Sequence, residues 1–140
     1  MAKHLVPYLV MDGNAREAIA FYEKALGAEN KGIMTFGDMP DSGGHVPEGA
    51  KDRIMHAMLR VGSSDLMFSD TFPGQPHQSG NQVTVTLITD NVAEAEKHFE
   101  ALSAGGQVEM PLQKTSWSPA YGALKDRFGV HWQINADVKE

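Results

Sequence analysis

The side chains best suited to chemistry in this sequence lie on one short segment, Arg53 to Val61. Read as a strand, it divides by parity into Met55, Ala57, Leu59 and Val61 on one face and Ile54, His56, Met58 and Arg60 on the other. His56 is the best candidate for a catalytic residue, because an imidazole gains and loses a proton near neutral pH. Arg60 adds a permanent charge with planar donors suited to an anion. The same pattern also fits a hydrogen-bonded sheet histidine beside a solvated strand-end arginine. The other histidines are scattered: His4 near the terminus, His45 and His77 in loops, His98 on a helix and His131 on a late strand. No ligand cluster is evident among them.

Several chemistries are excluded by what the sequence lacks. With no cysteine there is no disulfide, thiolate nucleophile or cysteine zinc site. There is no G-x-S-x-G, phosphate-binding P-loop, H-E-x-x-H or G-x-G-x-x-G. A net charge of −6 without a run of Lys or Arg argues against nucleic acid and against an anionic membrane surface. The first residues reach Asp12 too soon for the apolar region of a signal peptide, and no stretch nears the roughly 20 apolar residues of a membrane span. A cytoplasmic location is the expectation.

The elements that must position these residues follow from pattern. At 140 residues and 41% hydrophobic, one domain spanning 1–140 is expected. Leu5 to Met11 reads as a strand, and Asp12-Gly13-Asn14 as a turn whose Asn14 caps a helix. Ala18, Ile19, Phe21, Tyr22, Ala25 and Leu26 recur at helical spacing up to Gly27. Lys31 to Phe36, Arg53 to Val61 and Asp65 to Ser69 read as strands. The Gly, Pro and Asp-rich stretch 37–52 reads as a loop, either a lid or disordered. After a punctuated linker at 71–81, Gln82 to Thr89 alternates as a strand, and Asp90-Asn91 opens a helix through Val92, Ala95, Phe99 and Leu102 that ends at Gly105-Gly106. Val108 to Leu112, Tyr121 to Lys125 and Val130 to Asn135 complete the pattern.

The chain is thus a β-α-β-β-β unit written twice, with repeats at about 4–70 and 82–137. A displacement of 77 positions carries Asn14, Glu17, Ala18, Tyr22 and Glu23 onto Asn91, Glu94, Ala95, Phe99 and Glu100. The fold class expected is α+β, with two βαβββ repeats forming a curved, cup-shaped mixed sheet.

The segments Pro7-Tyr8-Leu9-Val10, Asp12-Gly13-Asn14, Ala18-Ile19-Ala20-Phe21-Tyr22 and Leu26-Gly27-Ala28 resemble the opening of the PhnB-like branch of the vicinal oxygen chelate superfamily, which includes glyoxalases, bleomycin-resistance proteins and extradiol dioxygenases. Leu66-Met67-Phe68-Ser69-Asp70, Pro73-Gly74, Trp117, Tyr121-Gly122 and the closing run Asp126 to Asn135 extend the resemblance over nearly the whole chain. In metal-dependent members, four ligands, usually His and Glu, come from the first and last strands of each half. Carried over, they fall near Pro7, at Met67 or Ser69, at Thr84 and at Gln133. None is a usual divalent-metal ligand, so no metal and no other cofactor is expected.

Alternation fills the cup. Val83, Val85, Leu87, Val130, Trp132 and Ile134 are expected under the helices, leaving Thr84, Thr86, His131, Gln133 and Asn135 on the opposite face. Met67, Ser69, His56, Met58 and Arg60 line the first half, and Trp117 with Tyr121 forms an aromatic wall. Such a lining suits a small hydrophobic or aromatic ligand, sequestered or carried without metal. The alternative is a metal-free acid–base, or displaced-metal, lyase or isomerase. Some relatives carry a ubiquinone-pathway methyltransferase label, against which the missing glycine-rich nucleotide turn argues. The resemblance and the open sheet edges imply a homodimer.

Overall fold

The computed structural model describes residues 1–38, 48–72 and 74–137. His45 and most of the expected loop 37–52 lie outside the described residues. The ends of that loop are short 3-10 turns, Phe36–Asp38 and Glu48–Ala50. The chain folds as two compact units, Met1–Gln78 and Ser79–Glu140. In the first the order is β1 (Tyr8–Met11), α1 (Ala15–Leu26), β2 (Glu29–Thr35), β3 (Ile54–Val61) and β4 (Ser64–Asp70). In the second it is β5 (Val85–Thr89), α2 (Val92–Ser103), β6 (Gln107–Gln113), β7 (Tyr121–Lys125) and β8 (His131–Ala136). The α+β class and the repeated βαβββ unit are therefore present: two four-stranded mixed sheets, ordered β1-β4-β3-β2 and β5-β8-β7-β6. In each, the first and last strands run parallel side by side and the remaining neighbours are antiparallel.

Period-two alternation sorts the central strands. Leu66, Phe68 and Asp70 of β4 are buried while Met67 and Ser69 are half-buried, and in β8 Trp132, Ile134 and Ala136 are buried between half-buried His131, Gln133 and Asn135. The buried faces meet the helices: the Tyr22 ring of α1 stacks on Phe68 at 5.6 Å. At Gly122 of β7 a Cβ would come within 2.8 Å of the Phe99 ring, so only glycine lets α2 settle on this strand.

Buried carboxylates fix the ends of these elements. Asp70 accepts from Ala15 N at 2.9 Å and Ile54 N at 2.8 Å, joining the start of α1 to the start of β3. Asn14 makes no side-chain cap, contrary to expectation; its Oδ1 accepts from Asp12 N while Asp70 takes over the helix N-terminus. Asn91 does cap α2, accepting from Glu94 N at 2.8 Å. Asp126 accepts from Phe128 N, Val130 N and the buried Trp132 Nε1. Gly27 ends α1 in the left-handed conformation with φ of 63°, whereas α2 stops at Ser103, before Gly105-Gly106, and Arg127 donates twice to Ala104 O. At the end of β2 the backbone N–H of Thr35 donates to Asp38 and holds that carboxyl below its usual range. This contribution is present above the ordinary carboxylate range and is lost as pH falls through the lowered value.

Several expectations on the strands are corrected. β1 starts at Tyr8 rather than Leu5, and β5 at Val85 rather than Gln82. Val83, expected under the helix, is 79% exposed because it lies ahead of the paired segment. Val130 likewise precedes β8 and is half-buried, its N–H turned to Asp126. Ile54, assigned to the face of His56, is fully buried, and Met55 packs instead against Phe36 and Ala50. A register shift between Met34 and Thr35 opposite this end of β3 turns the strand and breaks strict alternation there.

Replacing Asp126 with Ala removes the carboxylate that accepts from the buried indole N–H of Trp132 and should destabilise the fold by about 1–3 kcal/mol in urea unfolding. Asp70→Ala, which orphans two backbone donors, should cost at least as much. Asn14→Ala, which removes no helix cap, should cost less than either.

Candidate functional site

Each sheet turns one face to its helix, and of the expected site residues those on β3, β4, β5, β7 and β8 lie on the opposite face, which is called the open face. In the first unit the register sets Tyr8 beside Met67 and Met67 beside Met58, with Val10 beside Ser69 and Met34 opposite His56. Met58, Met67 and Ser69 are half-buried and His56 is exposed. The Tyr8 hydroxyl reaches across β4 to hydrogen-bond with His56 Nδ1 at 3.4 Å, the rings lying 5.9 Å apart. Tyr8 was not singled out by sequence reasoning, because its contact with His56 is made across β4, between residues 48 apart in the chain.

Arg60 is on the same strand as His56 but is already engaged: its Nε donates to Asp65, the residue opposite it on β4. An anion would have to compete with that carboxylate, which weakens the anion-holding expectation. Asp65 was missed because cross-strand pairing is decided by register, which the sequence does not state. His77 Nε2 donates to Val10 O at 2.9 Å, so this loop histidine covers a carbonyl of the edge strand β1.

In the second unit Thr86 pairs with Gln133, Gln133 with Ala123, and Asn135 with both Ile88 and Tyr121. Gln133, Asn135 and Tyr121 are half-buried, Thr86 is exposed, and Trp117 packs edge-on against Tyr121 at 5.3 Å while remaining 66% exposed. His131 Nδ1 donates to Glu109 Oε1 at 3.0 Å. A carboxylate on Nδ1–H fixes the tautomer and leaves Nε2 as the acceptor. Glu109 carried no signal in the sequence, since β6 meets β7 through two register shifts that no periodicity reveals.

Thr84 is corrected as well. It precedes β5, and the residue in register with Gln133 is Thr86. The displacement of 77 holds for the helices, but Met11, which passes its carbonyl to Thr71 N, corresponds to Thr89, which passes its carbonyl to Asp137 N. That is a displacement of 78, because the turn before α1 has one more residue than the turn before α2. Gly13 is the residue that makes this longer turn possible: it has φ of 87° and lies where a Cβ would strike the Arg53 guanidinium.

Strand register sets Tyr8 beside Met67 in one unit and Thr86 beside Gln133 in the other. A phenol, a thioether, a hydroxyl and a carboxamide do not fit a catalytic divalent ion, which takes carboxylate or imidazole. Among the described residues, no group of three or more His, Asp or Glu could hold a metal ion.

The model of the Glyoxalase/Bleomycin resistance protein/Dioxygenase superfamily matches residues 3–134. The chain is 40% identical over 139 residues to Protein YjdN of Escherichia coli (strain K12), covering 94% of this chain and 93% of that protein. The crystal structure of protein PA1353 from Pseudomonas aeruginosa matches with a TM-score of 0.88 and 42% identity, over 99% of this chain and 100% of that one. A Bacillus cereus structure described as a putative 3-demethylubiquinone-9 3-methyltransferase, PhnB protein, shares the fold with a TM-score of 0.78 at 22% identity, over 96% of this chain and 100% of that one. With the twice-repeated βαβββ unit and a family match over nearly its whole length, the chain belongs to the glyoxalase, bleomycin resistance protein and dioxygenase superfamily.

Proposed function

We propose that this chain is a small-molecule-binding protein that sequesters or carries an uncharged hydrophobic or aromatic ligand on the open faces of its sheets, without a resident metal. The observation that carries this reading is the chemistry of those faces. Met58, Met67 and Tyr8 in one unit, and Thr86 with Gln133 in the other, are neutral side chains set next to one another by strand register, and Tyr121 is set beside Asn135. Thioethers and aromatic rings adapt to flat apolar surfaces, and a few amides and hydroxyls fix orientation. The charged groups nearby have partners within the chain: Arg60 donates to Asp65, and the Glu109 carboxylate accepts from His131.

A second reading is an enzyme of the same superfamily, a lyase or isomerase working by acid–base chemistry or with a metal at displaced ligands. It is favoured by the Tyr8–His56 contact and by the oriented imidazole of His131. Under it His56 is the catalytic residue and Tyr8 its hydrogen-bonding partner. Absence from the chain of a glycine-rich nucleotide turn counts against a methyltransferase reading.

Residence in the cytoplasm and pairing as a homodimer belong to the same proposal. In each sheet the outer strands, β1 and β2 or β5 and β6, have one neighbour, and β-edges are commonly covered by a second chain. Light scattering at high micromolar concentration should give twice the 15.2 kDa chain mass; the monomer mass would refute the pairing.

Titration of methyl-labelled methionine signals with phenol and quinoline, and separately with inorganic phosphate, tests the binding reading. The aromatics should shift Met58 and Met67 or the amides of Gln133 and Thr86, leaving buried Met11 unmoved, and phosphate should shift none. A saturable response to phosphate alone would overturn it. For a ligand whose polar end rests on β8, Gln133→Leu should weaken binding by about 1–3 kcal/mol in calorimetric titration.

A further inference from the structure

On the open face of the second sheet one side-chain atom is buried with no partner: the carbonyl oxygen of Asn135, Oδ1. A buried acceptor without a donor is unfavourable, and native structures keep such atoms seldom and mostly where a ligand or ordered water supplies the missing bond. Strand register puts Ile88 of β5 on one flank of Asn135 and Tyr121 of β7 on the other. Ile88 is 63% exposed despite its size, and beyond Tyr121 stands the exposed Trp117.

Trp117 is held in that exposed position by its turn. Thr115 Oγ1 accepts from the backbone N–H of Trp117 and of Ser118, and Thr115 N donates to Ser118 O. Ser118 is buried, and its hydroxyl lies 2.9 Å from Ala120 O and 2.8 Å from Ala136 O, the latter at the end of β8. The indole thus stands on a turn anchored to the strand that carries Asn135, edge-on to Tyr121 with an interplanar angle of 72°. An aromatic side chain presented to solvent on a fixed support offers contact area at little cost in conformational freedom.

We infer that Ile88, Tyr121, Trp117 and Asn135 form a subsite for a flat, uncharged aromatic molecule carrying an N–H donor in its ring. The ring packs between Ile88 and the Trp117–Tyr121 pair, and its N–H donates to Asn135 Oδ1. The inference rests on the binding reading above and narrows its ligand class. It differs from a general hydrophobic surface in requiring a donor.

Indole and benzofuran separate the two, because they match in shape while benzofuran has a ring oxygen in place of the N–H. Amide and side-chain NMR titrations of the intact chain should show indole shifting the Trp117 indole, Tyr121 and Asn135 signals. Indole should bind about tenfold more tightly than benzofuran, the worth of one hydrogen bond. Asn135→Leu should bring the two probes to within about twofold of each other, and Trp117→Ala should weaken both together, the signature of a packing contact alone. Equal affinities for the unsubstituted chain, a preference for benzofuran, or no binding of either probe at millimolar concentration would overturn the subsite. Shifts confined to Met58 and Met67 would overturn it too, while leaving the binding reading intact.

Discussion

The two-residue period of β4 and β8 is the constraint on which the rest of the structure depends. Each is a central strand, hydrogen-bonded on one side to a parallel first strand and on the other to an antiparallel neighbour. Their alternate residues must be apolar to bury a helix, which fixes Leu66 and Phe68 in one unit and Trp132 and Ile134 in the other. Whatever lies between those positions is then delivered to the open face with no freedom to turn away. A slip of one residue would exchange core and open face, so the pattern that stabilises the fold also determines the chemistry the open face displays.

The buried carboxylates protect that register. Asp70 ties the last strand of the first unit to the helix start and to β3, and Asp126 ties the turn before β8 to the core tryptophan of that strand. Both lie in segments that resemble a family signature, and both act by satisfying donors inside the fold. They hold the surface on which a ligand would rest without facing it.

Much of this was legible in the sequence because it rests on local rules. The period of Ala18, Ile19, Tyr22 and Leu26 marked α1, Gly27 marked its end, and the alternation of His131 to Asn135 sorted β8 correctly onto two faces. What failed depended on pairing. Val83 and Thr84 continue the alternation of β5 but lie ahead of its partner strand, so they lose their assigned faces. Asn14 looks like a cap, yet a carboxylate 56 residues further along supplies it. Tyr8 on His56, Asp65 on Arg60 and Glu109 on His131 are contacts made across strands, and no spacing along one chain announces them.

The central claim is that these open faces present neutral donors suited to an organic ligand and unsuited to a divalent ion. It is tested most directly by metal content: the chain is purified without an affinity tag from cells grown with added manganese, nickel and zinc, and its metal is measured per chain by mass spectrometry of the elements. The account predicts far less than one ion per chain, and no change on Gln133→Ala. One equivalent of metal, lost in that variant, would contradict it.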